Sequence, residues 1–584
     1  MYCRRRPGFL LFSILACFAC QKKAPGPPPR YAVVRFENLT GDPALDWAGR
    51  EASEVLAISL AGAMDGPVLN PAALRRMAPA LGNRPASAPG SSSERDSALL
   101  SGATRLISGY MERSGNALRV VAVDEDLATG KILRTVSARS ASTPPNTLLL
   151  LQQLAHEFSP RARPYLTSNP KVAEDYFKGV EAPLAASEAS LKEAIALDPD
   201  YGPAWLGLTK VAELQRDRNS AENWISQART HKLDPYSMAE LDSEAAALGS
   251  GSDTETQTAK IAATRKLSAL SPGDINLLRS LAESESATGQ FAAAAADWKK
   301  LADILPGDAA VWNSLGYARS WAGDFPGALT ALNEYRRLRP NDPNALDSIG
   351  DLYYLNRKFN EAAANYLQGN TKDPNFQRFG ELYKAAWAKF MAGDKPGADA
   401  LFAKFRAARE KASDPLVPLL IADWLYRTGH AEDAVAGLRK AVGEMQPATL
   451  RAEGYTQLAI WDLLAGDRAQ AQKDAMAAGQ PTTPVVAMMW FVIQPSASAG
   501  EWQQRADRIN FPAQLRRLAL GYALLLDGKR DAATPVWKEI VNSTPATDFF
   551  SRAVYARLRK QSDEKPLIPE PNQVNQFSAL LAKL

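Results

Sequence analysis

The stretch Val311–Pro343, VWNSLGYARSWAGDFPGALTALNEYRRLRPNDP, decides the fold. Trp312, Leu315, Ala318 and Ala322 fall at helical spacing, Gly323-Asp324 interrupts, and Ala328, Leu329, Leu332 and Tyr335 make a second apolar face before Pro340 stops it. The same beat runs outward in both directions. Pro272, Pro306, Pro340 and Pro374 are each 34 residues apart, as are Phe291, Phe325 and Phe359, then Ala294, Ala328 and Ala362, then Leu281, Leu315 and Ile349. Columns in register at this period predict stacked helix pairs. Small residues pair where the two helices of a unit must cross: Gly316 with Ala328, Gly350 with Ala362, Ala282 with Ala294. Close backbone approach there leaves Trp312, Phe325 and Leu332 to fill the flanks.

Trp312, Leu315, Gly316, Ala328 and Pro340 resemble the tetratricopeptide repeat pattern. The Tyr of the first helix is Arg319 in this repeat and returns as Tyr353 in the next, where Arg357 stands in place of the turn Gly. The resemblance implies an α-solenoid over residues 171–563, about ten helix pairs, most regular over 273–374. Beyond Pro374 the spacing drifts, yet Gly393 with Ala398, Gly429 with Ala434, Gly466 with Ala471 and Gly528 with Ala533 keep the turn. Residues 480–512 are the least regular, and GSGSDTETQT interrupts the turn of the third pair. The Met488–Ile493 run is far below membrane-spanning length and reads as buried packing. Residues 564–584 read as a linker and a last helix, FSALLAKL, capping the end of the solenoid.

Ahead of the array, residues 31–142 change texture. YAVVRF is a strand, DWAGREASEVLAISLAGAM an amphipathic helix, AALRRMAPAL a second helix, and residues 105–138 three strands turning at Ser114-Gly115 and Thr129-Gly130. Leu106, Ser108 and Tyr110 alternate with their neighbours, as do Leu118, Val120 and Ala122, which predicts a half-buried antiparallel sheet covered by helices. Residues 143–170 supply a connecting helix. Phe36–Asp42, Asp46-Trp47, Ser108-Gly109 and Ala128–Lys131 resemble a TolB N-terminal-like domain, a non-catalytic α/β module of the bacterial envelope. Individually, Asn38, Thr40, Gly41 and Asp42 are the residues a tight turn favours.

The first 20 residues read as an export signal: Arg4–Arg6, then the apolar FLLFSILACFA, then polar QKKAPGPPPR. All three cysteines, Cys3, Cys17 and Cys20, lie there, so the body of the chain forms no disulfide of its own. Ile14–Cys17 resembles a lipoprotein signal, which implies acylation at Cys17, with Cys20 the alternative and an ordinary cleaved signal or an uncleaved anchor the remaining readings. Residues 21–30 would then be a stiff Pro-rich spacer between membrane and fold.

Composition narrows the function. At 46% apolar and 23% charged the chain is a folded protein, and the +4 formal charge owes most of its excess to Arg4, Arg5 and Arg6, so nothing points to nucleic acid. His156, His231 and His430 are scattered, no cysteine nucleophile remains in the body, and no phosphate-binding loop or nucleophile elbow occurs. No cofactor or metal is expected. The expectation is a non-catalytic, membrane-tethered scaffold of the bacterial cell envelope that holds a protein or peptide in the groove of the array. The alternatives are an envelope polymer- or glycan-processing enzyme with its site in the α/β domain, and an accessory module of a signalling assembly. By the resemblance, groove contacts fall at Asn276, Arg279 and Glu283, at Asn313, Tyr317 and Ser320, and at Asn344, Asp347, Asp351 and Tyr354.

Overall fold

The computed structural model describes residues 28–71, 74, 93–115, 117–140, 146–249, 254–544, 548–560, 566–572 and 574–584. Cys17, Cys20, the export signal, most of the Pro-rich spacer and nearly all of the helix expected at 72–81 lie outside the described residues.

The N-terminal unit contains β1 (Tyr31–Val33), β2 (Glu37–Asn38), α1 (Ala48–Leu60), α2 (Ser93–Leu100), β3 (Arg105–Ser114), β4 (Ala117–Asp126) and β5 (Lys131–Ser140). Strand order is β1-β3-β4-β5, with β2 also beside β3. The sheet is mixed rather than antiparallel as expected, because β1 and β2 run parallel to β3. A parallel pair needs a crossover, and α1 and α2 lie within it.

The face of β3 on the main core is Ile107, Gly109 and Met111, not Leu106, Ser108 and Tyr110. Register sets this: Met111 lies opposite Val120 and Gly109 opposite Ala122, so these share a face with Leu118 and meet α1. Phe36 fills the space over Gly109, where a Cβ would come within 2.4 Å of its ring. Leu106 instead joins Ala32, Val34 and Leu69 on the other face. The Asn38–Asp46 segment is a self-satisfied turn. Asn38 donates to Asp46 Oδ1 at 2.7 Å, and its own Oδ1 accepts from the Thr40 amide at 3.0 Å.

Helix α3 (Thr147–Phe158), expected as a connector, packs on α1 and β5, and Leu148, Leu150, Leu151 and Leu154 belong to the sheet's core. That core runs on without a break into the first helix pairs, reaching Leu208 and Val211.

The pairs are α4 (Pro170–Glu181) with α5 (Leu184–Leu197), α6 (Gly202–Leu214) with α7 (Arg218–Ala228), α8 (Pro235–Leu248) with α9 (Thr254–Leu270), and α10 (Ile275–Ala287) with α11 (Phe291–Ile304). Next come α12 (Ala309–Ala322) with α13 (Phe325–Leu338), α14 (Pro343–Leu355) with α15 (Phe359–Lys372), α16 (Gly380–Met391) with α17 (Lys395–Lys411), and α18 (Val417–Arg427) with α19 (Ala431–Ala441). Then α20 (Ala448–Ala465) with α21 (Arg468–Ala478), the irregular α22 (Pro484–Val492) and α23 (Ala499–Arg508), α24 (Ala513–Leu526) with α25 (Arg530–Ser543), and the single α26 (Phe549–Leu558). Helices α22 and α23 each pack on α24 and meet each other through Phe491 and Trp502, ring centroids 5.3 Å apart. Met489, Phe491, Val492 and Ile493 are buried there.

Local chemistry explains the beat. Each proline of the 34-residue column stands two positions beyond a helix end, and two residues later Asp274, Asp308 and Asp342 cap the next helix by accepting backbone N–H groups. Gly323 ends α12 at φ +89°, and Asp324 caps α13. Gly316 lies under Leu332 and Gly350 under Tyr366, where a Cβ would come within 2.4 Å of either side chain. Leu315 and Ala318 are buried, Trp312 is half-buried with Nε1 donating to Pro306 O at 3.0 Å, and Ala322 is exposed.

The first helices of several successive pairs touch one another, as α4, α6 and α8 do, whereas among the described residues no two second helices meet to that extent. The stack therefore curves with its first helices inside. Its beginning wraps the α/β domain. Glu181 on α4 pairs with Arg35 at 3.1 Å and Arg50 at 3.0 Å, and further along the chain Pro67 packs on Gly273 and Gly102 under Ile275.

Candidate functional site: the inner wall of the array

The expected groove residues separate into two groups. Asn276, Arg279 and Asn313 are half-buried and Glu283 is exposed. Arg279 pairs with Asp308 at 2.9 Å over the Trp298 ring, Asn313 Oδ1 is buried with no protein partner, and Asn344 donates to Tyr335 Oη at 2.9 Å. Asp347, Asp351 and Tyr354, by contrast, are only 3–5% exposed and Ser320 is buried, so a partner cannot reach them. Tyr354 packs edge-on against Phe359.

Asp347 and Asp351 are withdrawn by Lys384 of the following pair, whose Nζ lies 2.7 Å from Asp347 and 3.0 Å from Asp351. Tyr317 and Tyr366 donate to the two oxygens of Asp351 at 2.9 and 2.8 Å. Burial opposes a charge on Lys384, but Asp351 and Asp347 outweigh it and hold the ammonium above its ordinary range. Burial pushes Asp347 up to about 6 and, helped by Asp347 beside it, Glu381 up to about 10, so Glu381 is protonated at neutral pH. The cluster fastens three successive pairs together; Lys384, Tyr317 and Tyr366 satisfy its aspartates, while both carboxyl oxygens of Glu381 are buried without a hydrogen-bond partner among the described residues.

Further along, the wall is covered by the chain's own C-terminal segment. Among the described residues of 566–584 only α27 (Leu580–Lys583) is helical, and those before it lie in turns or without regular structure, so the segment does not cap the solenoid's end as the expected helix. Ile568 packs on the cluster of Tyr354, Tyr366 and Ala385, and Pro571 on Gly380 at the start of α16. Asn572 accepts from Arg409 Nη1 at 2.8 Å and donates to Gln377 O at 3.3 Å. Gln457 on α20 donates to Gln576 O at 3.0 Å. Phe577 stacks on Tyr522 of α24, centroids 3.9 Å apart and planes 12° from parallel. Arg557 donates to Leu581 O, and Arg530 to Leu584 O at 3.2 Å. The segment thus crosses first helices of separate pairs. Sequence reading missed it because the fourth contact set, on α24, lies so far from the regular repeats.

A second concavity lies where the array wraps the α/β domain, a cavity of about 1370 Å³. Leu166, Leu184, Leu214 and Leu270 expose apolar surface toward it, and Glu54, Asp65 and Glu244 line it. Burial and the neighbouring Glu213 push Glu244 up to about 7. Among the described residues no group of three His, Cys, Asp or Glu is arranged to hold a metal ion, and no helix is long and apolar enough to cross a membrane.

No protein-family model and no curated protein matches the chain. Solved structures resemble it in arrangement. A tetratricopeptide repeat protein from Parabacteroides merdae is 16% identical over 45% of this chain and 99% of that one, TM-score 0.29. Yeast Tom70 is 13% identical over 68% and 90%, TM-score 0.30, and YrrB, a TPR protein with an unusual peptide-binding site, is 15% identical over 31% and 90%, TM-score 0.24. The fold is an α-solenoid of tetratricopeptide-type helix pairs behind a small α/β domain.

Proposed function

We propose that the chain is a non-catalytic scaffold of the bacterial cell envelope, tethered to a membrane through its N-terminus, that binds a protein or peptide along the inner wall of its array. The observation carrying this reading is the C-terminal segment: the wall already holds a stretch of polypeptide, without strand and with only one short helix, by its carbonyls and one aromatic side chain. The N-terminal resemblance to lipoprotein signals supports the tether at Cys17, with Cys20 the alternative. Two or more acyl chains there would hold the protein stably, each buried CH₂ contributing about 0.8 kcal/mol. The TolB N-terminal-like features of residues 31–142 fit the same compartment.

Photo-crosslinking residues placed at Glu283 and Asn313 in intact cells are expected to capture one partner protein, and at the outward Thr330 to capture none. Equal yield at all three positions would sink the reading. Mass analysis of the mature N-terminus tests the tether; an unmodified Cys17 and Cys20 would remove it.

The cavity favours a second reading, an envelope polymer- or glycan-processing enzyme. Its carboxylates are largely engaged, however: Asp65 accepts from Tyr31 at 2.6 Å and Glu54 from Tyr176 at 3.4 Å. Glu54→Gln and Glu244→Gln would abolish hydrolysis of envelope polymers under that reading and leave partner capture unchanged under ours.

A further inference from the structure

We propose that residues 566–584 are a built-in occupant of the inner wall between α16 and α24, and that the partner this stretch of wall takes is a segment of the same chemistry. That segment is a proline-rich run ending in a side-chain amide, with an aromatic residue five positions on. The inference rests on the scaffold reading above and deepens it.

The tail has no core of its own. Its helix is four residues long, the run before it carries Pro569 and Pro571 and has no regular structure, and Phe577, only 2% exposed, is buried in the core cluster of the last helix pairs together with Leu580. What orders it is therefore recognition by other parts of the chain. The contacts are those by which grooves read a bound segment: Arg409 and Gln377 O satisfy both ends of the Asn572 amide, Gln457 takes a backbone carbonyl, and Tyr522 offers a flat ring to an aromatic anchor.

The wall is also built for it at some cost. Gln377, Arg378 and Phe379 are three consecutive non-glycine residues with positive φ, at +47°, +56° and +67°. Such residues persist only where their surroundings hold them, at about 1–3 kcal/mol each. The result here is that the carbonyls of Gln377 and Arg378 face Asn572 and the buried Arg409, which donates to Arg378 O at 3.1 Å while its Nε pairs with Asp414 at 2.7 Å. Gly380, immediately after, leaves the space that Pro571 fills.

A tethered segment competes at an effective concentration of about millimolar, so a partner segment meets a wall that is mostly filled. Tail and partner are mutually exclusive occupants, and loosening the tail opens the site.

The test uses the full chain and a fluorescent synthetic peptide with the sequence of residues 566–584. Fluorescence anisotropy is expected to show the Phe577→Ala chain binding the peptide at least tenfold tighter than the wild type, and adding Tyr522→Ala to cancel the gain. Equal binding by wild type and Phe577→Ala would overturn the built-in occupant while leaving a peptide-reading wall. No binding by either would overturn that reading too. Hydrogen exchange on the wild-type chain is independent of how well the variants fold: the amides of 574–584 are expected to be protected and to lose protection when excess peptide is added, and unprotected amides in the free chain would overturn the proposal.

Discussion

The hydroxyl of Tyr317 donates to Asp351 Oδ2 at 2.9 Å, and the two residues occupy the same position in successive repeats, 34 residues apart. With Tyr366 on the other oxygen and Lys384 beside it, the pair turns a row of inner-wall positions into a buried clamp across α12, α14, α15 and α16.

Removing the cation should therefore cost more than removing an anion. Lys384→Met leaves Asp347 and Asp351 buried without their counter-charge and is expected to destabilise the array by about 3–5 kcal/mol. Adding Asp347→Asn should recover part of that. Urea denaturation followed by circular dichroism measures both, and an additive double variant would contradict the pairing.

Glu51 on α1 is fully buried, and burial pushes its carboxyl up to about 8 against an ordinary value of 4.5. The folded state thus keeps a proton that the unfolded chain gives up first. The associated stability is complete below pH 4.5 and is lost as pH rises toward 8, by about 4 kcal/mol in order of magnitude. Glu51→Gln lacks this loss. Unfolding free energies at pH 5 and pH 8.5 should converge in the variant and diverge in the wild type.

Two tryptophans separate core from flank. Trp502 is wholly buried, its Nε1 donating to Asp527 Oδ2 at 2.7 Å, so Trp502→Ala should cost about 3–5 kcal/mol. The half-buried Trp312 should cost about half as much on truncation, and Asn313→Ala beside it little. Melting temperatures in the order Asn313→Ala, Trp312→Ala, Trp502→Ala, falling, are the expected result.

Arg357 stands at φ +59° where neighbouring turns use glycine, as Gly323 does at +89°. A left-handed L-residue costs roughly 1–2 kcal/mol, offset in part by the larger unfolded-state entropy of glycine. Arg357→Gly should stabilise by about 0.5–1 kcal/mol, and Gly323→Ala should destabilise by about the same. Thermal melts of the two variants moving in one direction would contradict this.

The helix pairs were legible because each column of the period is a physical requirement: proline beyond a helix end, a small residue at the crossing, glycine in the turn. The capping aspartates, Asp274, Asp308 and Asp342, carry the same spacing and could have been read with them. The site was less legible. The tetratricopeptide resemblance places Asp347 and Asp351 in the groove by their positions in the repeat. Lys384 lies 37 and 33 residues beyond them, off the register, so nothing local announced the ion pair that buries them. FSALLAKL has a helical pattern, but Phe577 is claimed by Tyr522 and the helix starts only at Leu580. On the sheet, alternation along β3 could not say which face would meet α1; Phe36 over Gly109 decided it.

The contacts of Pro67 with Gly273 and of Gly102 with Ile275 give the first three helix pairs a different mechanical character from the rest. Having departed from the sheet at Glu181, the chain comes back to it, so these pairs close into a ring and resist being uncoiled. Uncoiling of the solenoid is left to the turns after Ile275, the part that carries the tail and its stack of Phe577 on Tyr522.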